Sequence, residues 1–138
     1  MIPIRIYFQD TDAGGVVFHG AYLDFLERAR TEWLRGLGFG QAELASRFGV
    51  LFIVRALDLA YLRPAVLDDL ISVSAAVSRL GRAQVTLRQE VRRGADALVR
   101  GAVNLACVGR DDLRPRPIPD SIHAALSAEA RLATNEEA

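Results

Sequence analysis

"DTDAGGVVFHGAYLDFLERARTEWLR", residues 10–35, carries two patterns back to back. From Gly20 onward, Tyr22, Phe25, Leu26, Ala29, Trp33 and Leu37 recur at spacings of three and four, while Asp24, Glu27, Arg28, Glu32 and Arg35 take the remaining positions. That periodicity predicts an amphipathic helix over 20–37, with Gly36 and Gly38 to end it. Its apolar residues are bulky and span a wide arc, so the helix is expected deep in the fold. The segment before it has the composition of a turn, in which Gly14 and Gly15 permit unusual dihedrals and close approach of a ligand to the backbone. A turn alone requires neither Asp12 nor His19.

On the N-terminal side, residues 2–9 alternate like a short strand, with Ile2, Ile4, Ile6 and Phe8 on one face. On the C-terminal side, 41–48 predicts a second short helix, and four strand-like runs follow at 50–62, 70–78, 84–93 and 97–109. In the second run Ile71, Val73, Ala75 and Val77 point inward. The Gly-containing links "RLGRA" and "RRGAD" suit hairpins. A proline segment then leads to a helix over Ser121–Leu132, and 133–138 is expected to fray. The order strand, helix, small helix, four strands makes an α+β protein with an antiparallel sheet and one helix covering its face. One domain over 1–138 is the economical reading.

The bulk composition narrows the function classes. The chain has 138 residues, 51% of them hydrophobic, and formal net charge zero, which speaks against a broad nucleic-acid surface. All 17 basic residues are arginine, so Schiff-base chemistry on lysine is excluded. Cys107 is the only cysteine; on an apolar strand it reads as core, and it fits a reducing compartment. No run approaches the ~18 apolar residues of a membrane span, and "MIPIRIYFQD" lacks the basic start of a signal peptide. A cytoplasmic protein is expected. There is no "GxSxG" and no "GxxxxGK".

The chemistry converges where the turn meets the helix. A helix start leaves backbone N–H groups unpaired, and here His19-Gly20-Ala21 opens the helix without a Ser, Thr, Asp or Asn cap. Such donors suit an anion or a polarised carbonyl oxygen. Asp12, seven residues before His19 across the glycine turn, can act there as nucleophile or general base, and His19 can orient groups or share protons. On composition alone the segment is equally a turn with Asx-type bonds, in which Asp10 orders the loop. A calcium loop fails, because the frame from Asp10 puts Ala21 where a bidentate Glu belongs.

The pattern is longer than a turn. "YFQDTDAGGVVFHGAYLDFLERARTEWLR" closely resembles the signature of the hot-dog-fold acyl-CoA thioesterases, most of all the branch associated with the Tol–Pal envelope system and related to the 4-hydroxybenzoyl-CoA thioesterases. The similarity continues through "YLRPAVLDDLISV" and "ACVGRDDLRPRPIP", covering roughly residues 4–122. The resemblance implies a hot-dog fold, a five-stranded antiparallel sheet wrapped around the long central helix. It implies Asp12 as the catalytic carboxylate, and His19 as the residue whose backbone N–H polarises the thioester carbonyl. It implies a homodimer or homotetramer with each site at a subunit interface, and an acyl-CoA substrate or an acyl carrier protein as its donor. No metal and no cofactor beyond the substrate's own coenzyme A is expected.

Around that core, Gly14, Gly15, Val16, Val17, Phe18 and Gly20 are expected to line the site. Val16, Val17, Phe18, Phe48 and Phe52 serve either as acyl pocket or as core. Arg63, Arg79 and Arg82 suit coenzyme A phosphates by guanidinium geometry, or are solvated turn charges. Two other functions compete: a hot-dog hydratase or dehydratase, and a non-catalytic acyl-thioester or acyl-carrier-protein binding module.

Overall fold

The computed structural model describes residues 1–137, with side chains described through Thr134. The elements are β1 (Ile2–Arg5), α1 (Ala21–Gly36), a single helical turn α2 (Gln41–Glu43) that runs into a π turn, β2 (Val50–Tyr61), β3 (Leu70–Val73), β4 (Ala76–Leu80), β5 (Gln84–Arg93), β6 (Asp96–Gly109) and α3 (Asp120–Glu137). One antiparallel sheet runs β1-β3-β5-β6-β2, and β4 also pairs β5. β3 and β4 occupy one lane of that sheet, because Val73 faces Val91 and Ala76 faces Arg88 in the same register. The sheet therefore has five lanes curved around α1, as a hot-dog fold requires.

The one-lane break at Ser74–Ala75 has a side-chain cause. Gln89 of β5 is fully buried. Its amide donates to the carbonyls of Ser74 (3.2 Å) and Leu26 of α1 (3.1 Å), and accepts from the Arg30 guanidinium at 3.0 Å. A buried amide must be bonded, and these contacts draw helix and sheet together. Ala75, expected inward, is only half-buried beside this junction.

Helix α1 packs on the sheet through Tyr22, Phe25, Leu26 and Ala29, against Ile4, Ile6, Ile71, Val73, Val91 and Val99. Burying one such large side chain stabilises by about 1.5–3 kcal/mol. A second cluster at the far end joins Leu34, Phe39, Leu44, Leu105 and buried Cys107 to Ile118, Ile122 and Leu126 from α3 and the segment leading to it. Phe48 packs there on Phe39.

Two expectations need correction. Phe8 does not continue β1: it is 81% exposed. The Asp10 carboxylate accepts the Tyr7 N–H at 2.9 Å and the chain curls into a 3₁₀ turn before Phe8 can reach the sheet. Helix α3 passes the expected end at Leu132 and reaches Glu137, with Ala133 still buried; Ala138 lies outside the described residues. Among the described residues, no helix is long and apolar enough to cross a membrane.

Candidate active site

The loop before α1 folds as a miniature hairpin. Thr11 bridges Val17, the Asp12 N–H donates to the Val16 carbonyl (2.9 Å), and the Gly15 N–H donates to the Asp12 carbonyl (3.0 Å). Gly15 sits at φ +81°, the left-handed position that closes such a loop and that a side chain resists. The Gly14 N–H donates to Asp12 Oδ1 at 2.8 Å, so one carboxylate oxygen is pinned by the turn. This is an Asx turn, yet Asp12 is exposed and borders a cavity.

Val16 bridges Val66, and the Val17 N–H donates to the Ala65 carbonyl (2.9 Å), which ties the hairpin to the loop after β2. That loop is braced by Asp69, whose Oδ2 accepts the Val66 N–H (2.9 Å) and the Arg93 guanidinium (2.6 Å). Partial burial pushes the Asp69 carboxyl up, but the Val66 N–H and Arg93 outweigh it and hold it below the usual carboxylate range.

At the helix itself, Gly20 takes the N-cap position and no side chain caps α1. The Ala21 N–H turns back to the Phe18 carbonyl (2.9 Å) and the Leu23 N–H to the Gly20 carbonyl (3.2 Å). The N–H groups of His19 and Gly20 meet no acceptor among the described residues. A Cβ at Gly20 would fall on the tip of the exposed Phe18 ring, so any other residue here must displace that ring.

Asp12, Val16, Val17, His19, Tyr22, Tyr61, Leu62, Arg63 and Pro64 surround a cavity of about 320 Å³. Of the residues singled out in the sequence, the structure thus brings together Asp12, His19, Val16, Val17 and Arg63. Val17 is buried and also belongs to the core. Phe18 points out beside the His19 ring, with centroids 5.3 Å apart. Gly14 and Gly15 shape the loop and Gly20 opens the helix, and none of the three is among the lining residues. Phe52 lines a different cavity, of about 330 Å³, between α1 and β2.

Arg79 and Arg82 are not brought to this cavity within one protomer. They lie in and beside the β4–β5 turn, Arg79 facing Thr86. The cavity is at the other end of the sheet, where Tyr61 pairs Val99 and Val99 pairs Val91. From Gln84 to Val91 is about 23 Å of strand at ~3.3 Å per residue. Arg63 does reach the cavity mouth, where it pairs Asp96 at 3.3 Å. Tyr22, Tyr61, Leu62 and Pro64 are lining residues the sequence reading did not single out for the site. The signal available for the last three was "YLRP", an apolar strand end running into a proline. Among the described residues, no group of three or more His, Cys, Asp or Glu could hold a metal ion.

A carboxylate and an uncapped helix start share one cavity, an arrangement that can hold a carbonyl oxygen on backbone N–H groups with a base or nucleophile beside it. The Thioesterase superfamily model matches residues 14–100, and the chain belongs to that superfamily; it is a thioester hydrolase. The chain is 42% identical over 124 residues to the acyl-CoA thioesterase YbgC of Haemophilus influenzae, covering 90% of this chain and 91% of that protein. It is 38% identical over 123 residues to the acyl-CoA thioester hydrolase YbgC of Escherichia coli O157:H7, covering 88% and 91%. Among solved structures, a probable thioesterase from Bartonella henselae superposes with TM-score 0.81 at 36% identity, covering 86% of this chain and 97% of that one. The DHNA-CoA thioesterase of Staphylococcus aureus shares the fold at TM-score 0.88 and 23% identity, covering 99% and 93%.

Proposed function

We propose that the protein hydrolyses acyl-CoA thioesters to a carboxylic acid and free coenzyme A, with Asp12 and the start of α1 as its machinery. The observation that carries this reading is the placement of the Asp12 carboxylate, held by the Gly14 N–H at 2.8 Å, in one cavity with His19 at the uncapped helix start. The thioester carbonyl oxygen receives the N–H groups of His19 and Gly20, where the positive helix end and the backbone donors favour developing negative charge. Asp12 then either attacks the carbonyl carbon, giving a mixed anhydride that water opens, or takes a proton from an attacking water. Both routes expel coenzyme A as thiolate, which leaves more easily than an amine.

In this reading Arg63 meets a phosphate of coenzyme A, exchanging Asp96 for it; its exposed position at the cavity mouth supports that role. A second copy of the chain completes the molecule. β2 is twelve residues long and, among the described residues, pairs only with β6, which leaves its other edge open. Val54, Leu57 and Tyr61 on that strand are each more than 40% exposed. A long apolar edge needs cover, and an antiparallel β2–β2 pairing supplies it. The work belongs in the cytoplasm, where coenzyme A thioesters are made and used. A role beside the Tol–Pal system follows from the sequence resemblance alone.

The test is free-thiol release from short, long and aromatic acyl-CoAs and from the same acyl groups on an acyl carrier protein. Hydrolysis of a coenzyme A thioester is expected, and the panel names the acyl class. Turnover of carrier-protein thioesters alone would move the substrate, and no release from any of them would overturn the reading.

A further inference from the structure

Tyr61 ends β2 beside the cavity, and its hydroxyl donates to the His19 carbonyl oxygen at 3.1 Å. Its ring lies 5.7 Å from that of Tyr22, whose own hydroxyl accepts the Ala65 N–H at 3.0 Å. The contact does not serve the core: Tyr61 is 50% exposed, and β2 is held along its whole length by β6. The His19 carbonyl is also not taken up by the helix, because the Leu23 N–H donates to Gly20 instead.

The carbonyl of His19 and the N–H of Gly20 belong to one peptide unit. The peptide is trans, as are all among the described residues, so the two groups point in opposite directions. A donor seated on the oxygen therefore sets the direction of the N–H. It holds that N–H on the side away from Tyr61, where no acceptor among the described residues meets it. Accepting a hydrogen bond at oxygen also polarises the peptide and makes its N–H a stronger donor.

We propose that Tyr61 is a positioning residue for thioester hydrolysis: by holding the His19 carbonyl it aims and polarises the peptide whose Gly20 N–H receives the substrate's carbonyl oxygen. The inference rests on the reading of the helix start as the carbonyl-binding site. It predicts an effect on the transition state, where charge gathers on that oxygen, more than on binding of the ground state. Tyr61→Phe keeps the ring and removes the donor.

Two measurements on the full chain decide it. In steady-state kinetics, Tyr61→Phe is expected to lower kcat about 10-fold with KM within about twofold, less than the ~10²–10³ lost when a donor is removed outright. The second uses a non-hydrolysable ketone analogue of an acyl-CoA, a methylene separating sulfur from a ¹³C carbonyl. Bound to wild type, its carbonyl stretch is expected to fall below the value in water, and Tyr61→Phe to restore part of that shift. The probe needs no turnover, so it reads the helix start whatever Asp12 does. A wild-type shift that Tyr61→Phe leaves untouched overturns the Tyr61 proposal alone, as does a variant with wild-type kcat or with only KM raised. A carbonyl unshifted in wild type overturns the helix-start reading, and the Tyr61 proposal with it.

Discussion

At the scale of single residues, the site depends on how tightly the hairpin holds Asp12. A Cβ on Gly14 would sit 3.2 Å from Asp12 Oδ1, close enough that the carboxylate must shift by a few tenths of an ångström on the Gly14 N–H. Gly14→Ala is therefore expected to lower kcat about 10-fold while leaving the melting temperature nearly unchanged, since a small misplacement of a reacting group costs rate more than fold. Kinetics and a thermal melt on the same preparation check this. Arg63→Ala is expected to raise KM for coenzyme A thioesters several-fold with kcat kept, and to leave truncated thioesters without the nucleotide unaffected. The pairing of Asp12 with the helix start was legible in the sequence because both ends of it are local: a glycine turn, an uncapped helix and seven residues between. Tyr61 was not, because in a long apolar-rich strand its ring reads as one more apolar position, and its partner His19 is 42 residues away.

At the scale of elements, the loop between β2 and β3 forms one wall of the cavity, and Asp69 braces it. In the sequence Asp68 and Asp69 look like the start of a strand, and nothing local says that Asp69 reaches Arg93 on β5. The carboxyl is depressed below its unfolded value of ~3.9. The unfolded chain thus binds the proton more readily, and the bridge's contribution is fully present above about pH 4 and lost as pH falls through the lower folded value. Asp69→Asn is expected to cost about 1 kcal/mol at neutral pH, a modest figure because Arg93 is partly solvated. The stability difference from wild type should stay constant from pH 8 to about 5 and close below about pH 4. Denaturant melts across that range read it directly. Gln89 carries more weight: Gln89→Ala opens a cavity and strands two carbonyls and the Arg30 guanidinium, for an expected loss of about 2–4 kcal/mol. The break it makes in the β3–β4 lane escaped the alternation of 70–78, since its cause lies on another strand. The hairpins and α1 were legible because their signals repeat within a few residues. The end of β1 was not, because Phe8 continues the alternation while Asp10, outside it, curls the chain away.

At the scale of the whole molecule, the open β2 edge is the feature that one copy leaves unresolved. Pairing it with a second copy would also bring the partner's β4–β5 turn, with Arg79 and Arg82, toward the Tyr61 end of the strand, which one protomer alone does not do. Leu57→Asp on the exposed strand is expected to shift the protein to monomer in analytical ultracentrifugation, with activity falling in parallel. A dispersed, fully active monomer would remove the second copy from the mechanism. The role of Asp12 does not depend on assembly, and one measurement reads it: the rate of thiol release by wild type and Asp12→Asn on the same acyl-CoA. Asn keeps the shape and the acceptor for the Gly14 N–H but has no charge to attack or to take a proton. A fall in kcat of at least ~10²-fold is expected with the fold intact. Asp12→Asn turning over at the wild-type rate would contradict it.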